Sequence, residues 1–174
     1  MKQQVAHKIM TFNIRFDNPQ DGINRWEYRS EGVCERLISY KLDILCLQEA
    51  LEDQYGDIYN ALKISGKYQL ISKGREYDPV RDVCFGEACS VLVNLDKYEV
   101  VDHGFFWLSQ TPDTPGSKGW DADCVRIATW VVLKSKQSTD APPFLLINTH
   151  WDHIGVVARM ESAKLIKRRA LMIQ

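Results

Sequence analysis

A mixed α+β fold is the prediction for this chain, and three features carry it. A strand–helix–strand unit runs between residues 8 and 47, strand-length segments follow from 67 to 150, and a helical stretch begins near Gly155. The 174 residues are 45% hydrophobic, enough to bury a core within one unit, so residues 1–174 are read as a single domain. The segment has no apolar run of about 18 residues and no signal-like opening, so the expectation is a soluble, intracellular and cytoplasmic protein without a membrane partner. Five cysteines (Cys34, Cys46, Cys84, Cys89, Cys124) include no C-x-x-C pair and read as reduced, packed thiols. A formal charge of −1 and a pI near 6.4 give no overall basic footprint for nucleic acid. The cluster Lys164, Lys167, Arg168 and Arg169 reads as a solvated helix face.

Taken in order, residues 8–14 alternate with Met10, Phe12 and Ile14 on one face, as a strand does. A turn-rich loop at 17–22 leads to a helix from about Glu31, capped by Ser30 and carrying Val33, Leu37 and Ile38 on one side. Residues 42–47 form a continuous run, apolar but for Asp43, rather than an alternating one, the mark of a central strand covered on both faces, and it stops at Gln48-Glu49. Tyr55, Ile58, Tyr59 and Leu62 recur at helical spacing. Strands are then expected at 67–72, 88–94, 97–108, 124–133 and 143–150. The last helix is still running at Gln174 without a stop signal, which reads as a cut.

The spacing has chemical consequences. Strands joined by a helical crossover run parallel and finish on the same edge, so Asn13 and Glu49 should stand side by side at one rim of a sheet. Segments 124–133 and 143–150 read as a hairpin centred near Ser138, which sets Arg126 opposite His150. A carboxylate and an amide suit Mg²⁺, and a guanidinium matches a phosphate, so a shared rim would serve phosphoryl chemistry. Other readings stand beside this one. Arg126 could instead pair with Asp121 or Asp123 in a structural salt bridge. His150 and His153 have an H-x-x-H spacing but lack further zinc ligands, which favours a structural or phosphate-contacting role. Trp107, Trp120, Trp130 and Trp151 read as packing aromatics.

Four segments, Met10 to Arg15, Leu45 to Glu49, Cys124 to Trp130 and Ile147 to His153, resemble in order the motifs of the endonuclease/exonuclease/phosphatase superfamily. The stretch Asn18 to Trp26, with Arg29 after it, looks like the branch near the carbon-catabolite-repression deadenylases and nocturnin. The resemblance implies a four-layer α/β/β/α sandwich of the deoxyribonuclease I-like type, incomplete at its C-terminus. It implies Mg²⁺, with Mn²⁺ as the alternative, held by Glu49 with help from Asn13. It also implies catalytic roles for Asn13, Glu49 and His150, and phosphate contacts from Arg126, His150 and His153. The substrate would be a phosphoester, RNA or another nucleic acid. The Gly-Asp-x-Asn and Ser-Asp-His motifs that carry the family's water-activating groups do not occur in these residues. Three functions are therefore weighed. The first is a Mg²⁺-dependent phosphodiester hydrolase of the 3′-5′ exoribonuclease kind. The second is a phosphatase of small sugar or inositol phosphates. The third is an inactive fragment or remnant of an interrupted gene.

Overall fold

The computed structural model describes residues 7–138 and 140–173. In chain order these form β1 (Ile9–Asn13), a 3-10 turn (Pro19–Asn24), α1 (Trp26–Tyr40), β2 (Ile44–Gln48), α2 (Glu52–Ser65), β3 (Tyr68–Ile71) and β4 (Gly74–Asp78). They continue with β5 (Val83–Ala88), β6 (Val91–Asn94), β7 (Tyr98–Trp107), β8 (Ile127–Ser135), β9 (Phe144–Thr149) and α3 (Val156–Ile173). The fold is mixed α+β, as expected. Among the described residues no helix is long and apolar enough to cross a membrane.

Two sheets face each other across β2. The first has the order β1-β2-β6-β3, with β1 and β2 parallel and Asn13 level with Gln48; the other has the order β7-β8-β9. Every residue of β2 is buried, and alternation divides them between two cores. Leu45 and Leu47 pack with Leu37 of α1 and Ile58 and Leu62 of α2. Ile44 and Cys46 point the other way, with Val91 and Val93 of β6, onto Tyr98, Val131 and Leu133 of the second sheet. On that sheet's far side, Leu165 and Ile166 of α3 meet Phe106, Ala128 and Ile147. A run with no polar interruption is what two covered faces require.

The two sheets are also joined by polar groups. Buried Asn148 of β9 donates to the carbonyls of Leu47 (2.8 Å) and Ser90 (3.0 Å), and its oxygen accepts from the Gln48 amide at 2.7 Å. This fixes the second sheet's position against the end of β2, because each of these groups would lack a partner if the sheets slid.

Two expectations need correction. Helix α1 starts at Trp26 rather than near Glu31, and Ser30 lies inside it. Its opening N–H, on Trp26, is taken by the Asp17 carboxylate (2.9 Å), which also binds Arg25 at 2.8 Å. The cap comes from a distant loop, so a search for a neighbouring hydroxyl misplaces the start. The β4–β5 hairpin lies where a loop is expected, because its residues are charged and glycine-bearing and show no apolar alternation; the strand expected at 88–94 splits, its main part being β6. Gly74 permits this pairing, since a Cβ there would run into the Phe85 carbonyl.

Replacing Asn148 by Leu should cost about 2–4 kcal/mol, the order expected for leaving several buried polar groups unpaired. Urea unfolding of the variant against its parent measures it.

Candidate active site

Parallel pairing delivers Asn13 and Glu49 to one rim, and the local backbone then turns them toward each other. Glu49 lies just past β2 with φ 60°, a left-handed conformation that a non-glycine residue adopts at a cost of about 1–2 kcal/mol. The turn is held on both sides. Glu49 Oε1 accepts from Asn13 Nδ2 (2.8 Å), Oε2 accepts from the Phe16 N–H (3.4 Å), and the Ala88 N–H donates to the Ala50 carbonyl (2.8 Å). The Asn13 oxygen accepts from the Arg15 N–H at 3.0 Å, so the amide is itself held at one end while its other end orients the carboxylate.

Arg126 stands immediately before β8 and His150 immediately after β9. The register pairs Ala128 with Thr149, one residue away from that expected, and the two side chains meet with Arg126 Nη1 3.2 Å from His150 Nδ1. Arg126 is only 5% exposed. Its Nε donates to Asp152 (3.3 Å) and its Nη2 lies 3.1 Å from His153 Nδ1. Asp152 is buried too and accepts from the N–H groups of Gly155 (2.7 Å), Cys124 (3.1 Å) and Ile154 (3.1 Å). Burial works against its ionisation, but these backbone donors outweigh that and hold its carboxyl far below the usual carboxylate range. For His150, burial and then the Arg126 charge lower its pKa, with Glu49 opposing, so the ring is neutral at neutral pH. His150 Nε2 is 4.0 Å from Glu49 Oε1, beyond hydrogen-bond distance, so the pair Asn13–Glu49 and the chain His150–Arg126–Asp152 face each other across a short gap at one rim.

Residues 10–167 match the family model described as the Endonuclease/Exonuclease/phosphatase family. The chain belongs to that family. Its members are phosphoesterases and are typically metal-dependent. An endonuclease/exonuclease/phosphatase protein of Bacteroides vulgatus is 42% identical, with a TM-score of 0.87 over 96% of this chain and 60% of its own. A mannosyl-6-phosphatase of Bacteroides thetaiotaomicron is 34% identical, with a TM-score of 0.83 over 94% of this chain and 58% of its own. Among curated proteins, the CCR4-Not complex 3′-5′-exoribonuclease subunit Ccr4 of Mycosarcoma maydis is 25% identical over 86% of this chain and 25% of its own length. The chain thus spans about 60% of these structural relatives and a quarter of that curated one.

The same rim also contains residues that sequence reasoning misses. A narrow cleft beside Glu49, Arg126 and His150 is lined by Arg75 and Glu87. These two form a bidentate pair (2.8 and 3.1 Å) on the β4–β5 hairpin. Burial raises the Glu87 carboxyl, Arg75 opposes that, and the Glu49 charge adds to it. Neither residue could be found without recognising the hairpin. Arg126 does form a buried salt bridge, but with Asp152 and not with Asp121 or Asp123. Asp121 instead accepts the first N–H groups of α3, from Val157 (3.2 Å) and Ala158 (2.6 Å), and Asp123 faces His153 at 3.8 Å.

Trp107 packs as expected, whereas Trp151 is 40% exposed in a shallow depression that also holds Asn13, His150 and His153. All five cysteines are free, and burial pushes the thiols of Cys46 and Cys89 up to about 12, so neither is a nucleophile at neutral pH. A larger cleft of about 870 Å³ under the end of α3, lined by Val132, Phe144, Ile147, Ala170 and Ile173, brings no titratable side chain to bear.

Because the Asp152 carboxyl is held below its unfolded value, its stabilisation is complete above that value and lost as pH falls from there through the folded one. Asp152→Asn should therefore destabilise the fold by about 3–5 kcal/mol at neutral pH, the range for breaking a buried ion pair. The gap from the parent should narrow as pH drops below about 4. Urea titrations at a series of pH values test both statements.

Proposed function

We propose that this chain carries the metal-binding and phosphate-binding part of a metal-dependent phosphoesterase whose substrate is a small phosphorylated molecule. The observation that carries the proposal is the convergence at one rim of the Asn13–Glu49 pair and the His150–Arg126–Asp152 chain, with His150 Nε2 4.0 Å from Glu49 Oε1. Around it we read the packing of helices and sheets as part of the four-layer α/β/β/α sandwich of deoxyribonuclease I-like proteins. The five unpaired cysteines suit a reducing, cytoplasmic compartment.

The donor set fits Mg²⁺ or Mn²⁺. Glu49 offers a hard carboxylate oxygen that is partly exposed and already oriented, and such ions accept few protein ligands while keeping several waters. In this reading Glu49 holds the ion and Asn13 keeps the carboxylate aimed. When bound, the metal stabilises charge on the phosphate oxygens. His150 donates a hydrogen bond to the phosphate, and Arg126 adds positive charge behind it. His153 stands at the edge of the same depression as a further donor. No residue here is assigned as general base, since the Gly-Asp-x-Asn and Ser-Asp-His motifs are absent from these residues.

A small substrate is favoured by the formal charge of −1, because long nucleic acids need a basic track, and by the 34% identity to a mannosyl-6-phosphatase. The similarity to Ccr4 supports a second reading, a 3′-5′ exoribonuclease.

Turnover of mannose 6-phosphate, inositol phosphates and an oligoadenylate with Mg²⁺, measured at rising salt on a form of the protein that also carries the Gly-Asp-x-Asn and Ser-Asp-His motifs, separates the readings. Sugar phosphate hydrolysis with little salt dependence is the expected result. Oligoadenylate cleavage that falls steeply with salt would favour the exoribonuclease, and binding of Mn²⁺ without turnover of any substrate would favour a non-catalytic fragment. Glu49→Gln should lower Mn²⁺ affinity at least about tenfold, about 1.4 kcal/mol, by calorimetric titration. Unchanged affinity would remove Glu49 from the metal site.

A further inference from the structure

An arginine can only donate hydrogen bonds, whereas a neutral imidazole has one nitrogen that donates and one that accepts. Arg126 presents two different nitrogens to two rings, Nη1 to His150 Nδ1 at 3.2 Å and Nη2 to His153 Nδ1 at 3.1 Å. Each Nδ1 must then offer its lone pair, and each ring must carry its proton on Nε2.

We infer that Arg126 is a positioning residue that locks His150 and His153 together as Nε2–H tautomers, so that one buried guanidinium aims two N–H donors at the phosphate site. The inference rests on the reading of this rim as a phosphate site. It adds that Arg126 works through the histidines.

The guanidinium is equipped for this task. It is 5% exposed, and its third nitrogen, Nε, is held by Asp152, itself fixed by three backbone N–H groups. The planar fork therefore cannot rotate away from either ring. A lysine ends in one nitrogen on a flexible stem, so it cannot place separate donors at the two positions that Nη1 and Nη2 occupy. Beyond Arg126, the groups facing the rings accept hydrogen bonds. Glu49 Oε1 lies 4.0 Å from His150 Nε2, and Asp123 Oδ2 lies 3.8 Å from His153 Nε2.

The lock also bears on a neighbouring cluster. The ligand atoms of Asp123, Cys124 and His153 lie within 4.8 Å of one another, a spacing that could hold a soft divalent metal. A metal on His153 Nε2 would drive the ring proton to Nδ1, directly against the Arg126 N–H. The same arginine thus disfavours a competing metal at the mouth of the site.

The test is ¹⁵N NMR of the histidine rings at about pH 8, well above the ordinary histidine range. His103, on β7 and outside the hydrogen-bond partners of Arg126, serves as the internal reference. In the parent protein, His150 and His153 should each show one tautomer, with a pyridine-like Nδ1 and a pyrrole-like Nε2. Averaged shifts, or a pyrrole-like Nδ1 in either ring, would overturn the inference. In Arg126→Met both rings should shift toward averaged values, and in Arg126→Lys at least one should. Both rings remaining locked in a folded variant would also overturn it. Should Arg126→Met not fold, the parent spectrum and Arg126→Lys still decide. A lock without any phosphoester turnover would count against the proposed function alone, and turnover dependent on Glu49 without a lock would count against this inference alone.

Discussion

The site depends on a buried ion pair that would be a liability if its geometry were any poorer. Taking Arg126 and Asp152 out of water costs several kcal/mol for each charge, and their mutual attraction offsets this only when the remaining donors and acceptors are filled. Here they are filled in a particular way. Asp152 collects the N–H groups of Cys124, Ile154 and Gly155, so its charge is met by the loops before β8 and after β9. Arg126 spends its other two nitrogens on histidines. Structural demands and the layout of the rim coincide, because the two histidines that fill the guanidinium's remaining donors stand in the depression beside Asn13.

A second constraint acts from the first sheet. β1 and β2 are parallel neighbours, so their ends would bring Asn13 beside Gln48, one residue short of the carboxylate. The left-handed turn at Glu49 corrects that offset and puts the carboxylate against the Asn13 amide. Strain at this point is tolerable because β2 is buried along its whole length and the bridge between Ala50 and Ala88 holds the chain beyond it. The Asn148 contacts to Leu47 and Ser90 then set the second sheet, and with it His150, at the right height. Backbone geometry, sheet packing and the polar link between sheets all converge on the distance between Glu49 and His150.

Much of the rim was legible in the sequence. The run at 42–47, apolar but for Asp43, argued for a doubly covered strand, and a parallel partner at 8–14 followed from the intervening helix. Glu49 and Asn13 were placed by that argument, and the hairpin argument put Arg126 near His150 with an error of one residue in register. The start of α1 was misread because its cap, Asp17, lies in the preceding loop, and helix-start rules weigh only neighbouring side chains. Arg75 and Glu87 were missed because a short hairpin of charged residues has no apolar alternation to announce it.

The sequence alone determined which strands are central and which residue types end them, since both follow from local periodicity and from the handedness of a crossover. Only the tertiary structure decided which of several nearby carboxylates pairs with Arg126. Asp121, Asp123 and Asp152 are all close to it along the chain or across the hairpin, and the choice was made by backbone donors: Asp121 is spent on the first turn of α3, while three N–H groups converge on Asp152. Electrostatic partners are selected by the full three-dimensional arrangement of donors, and no pattern along one dimension records it.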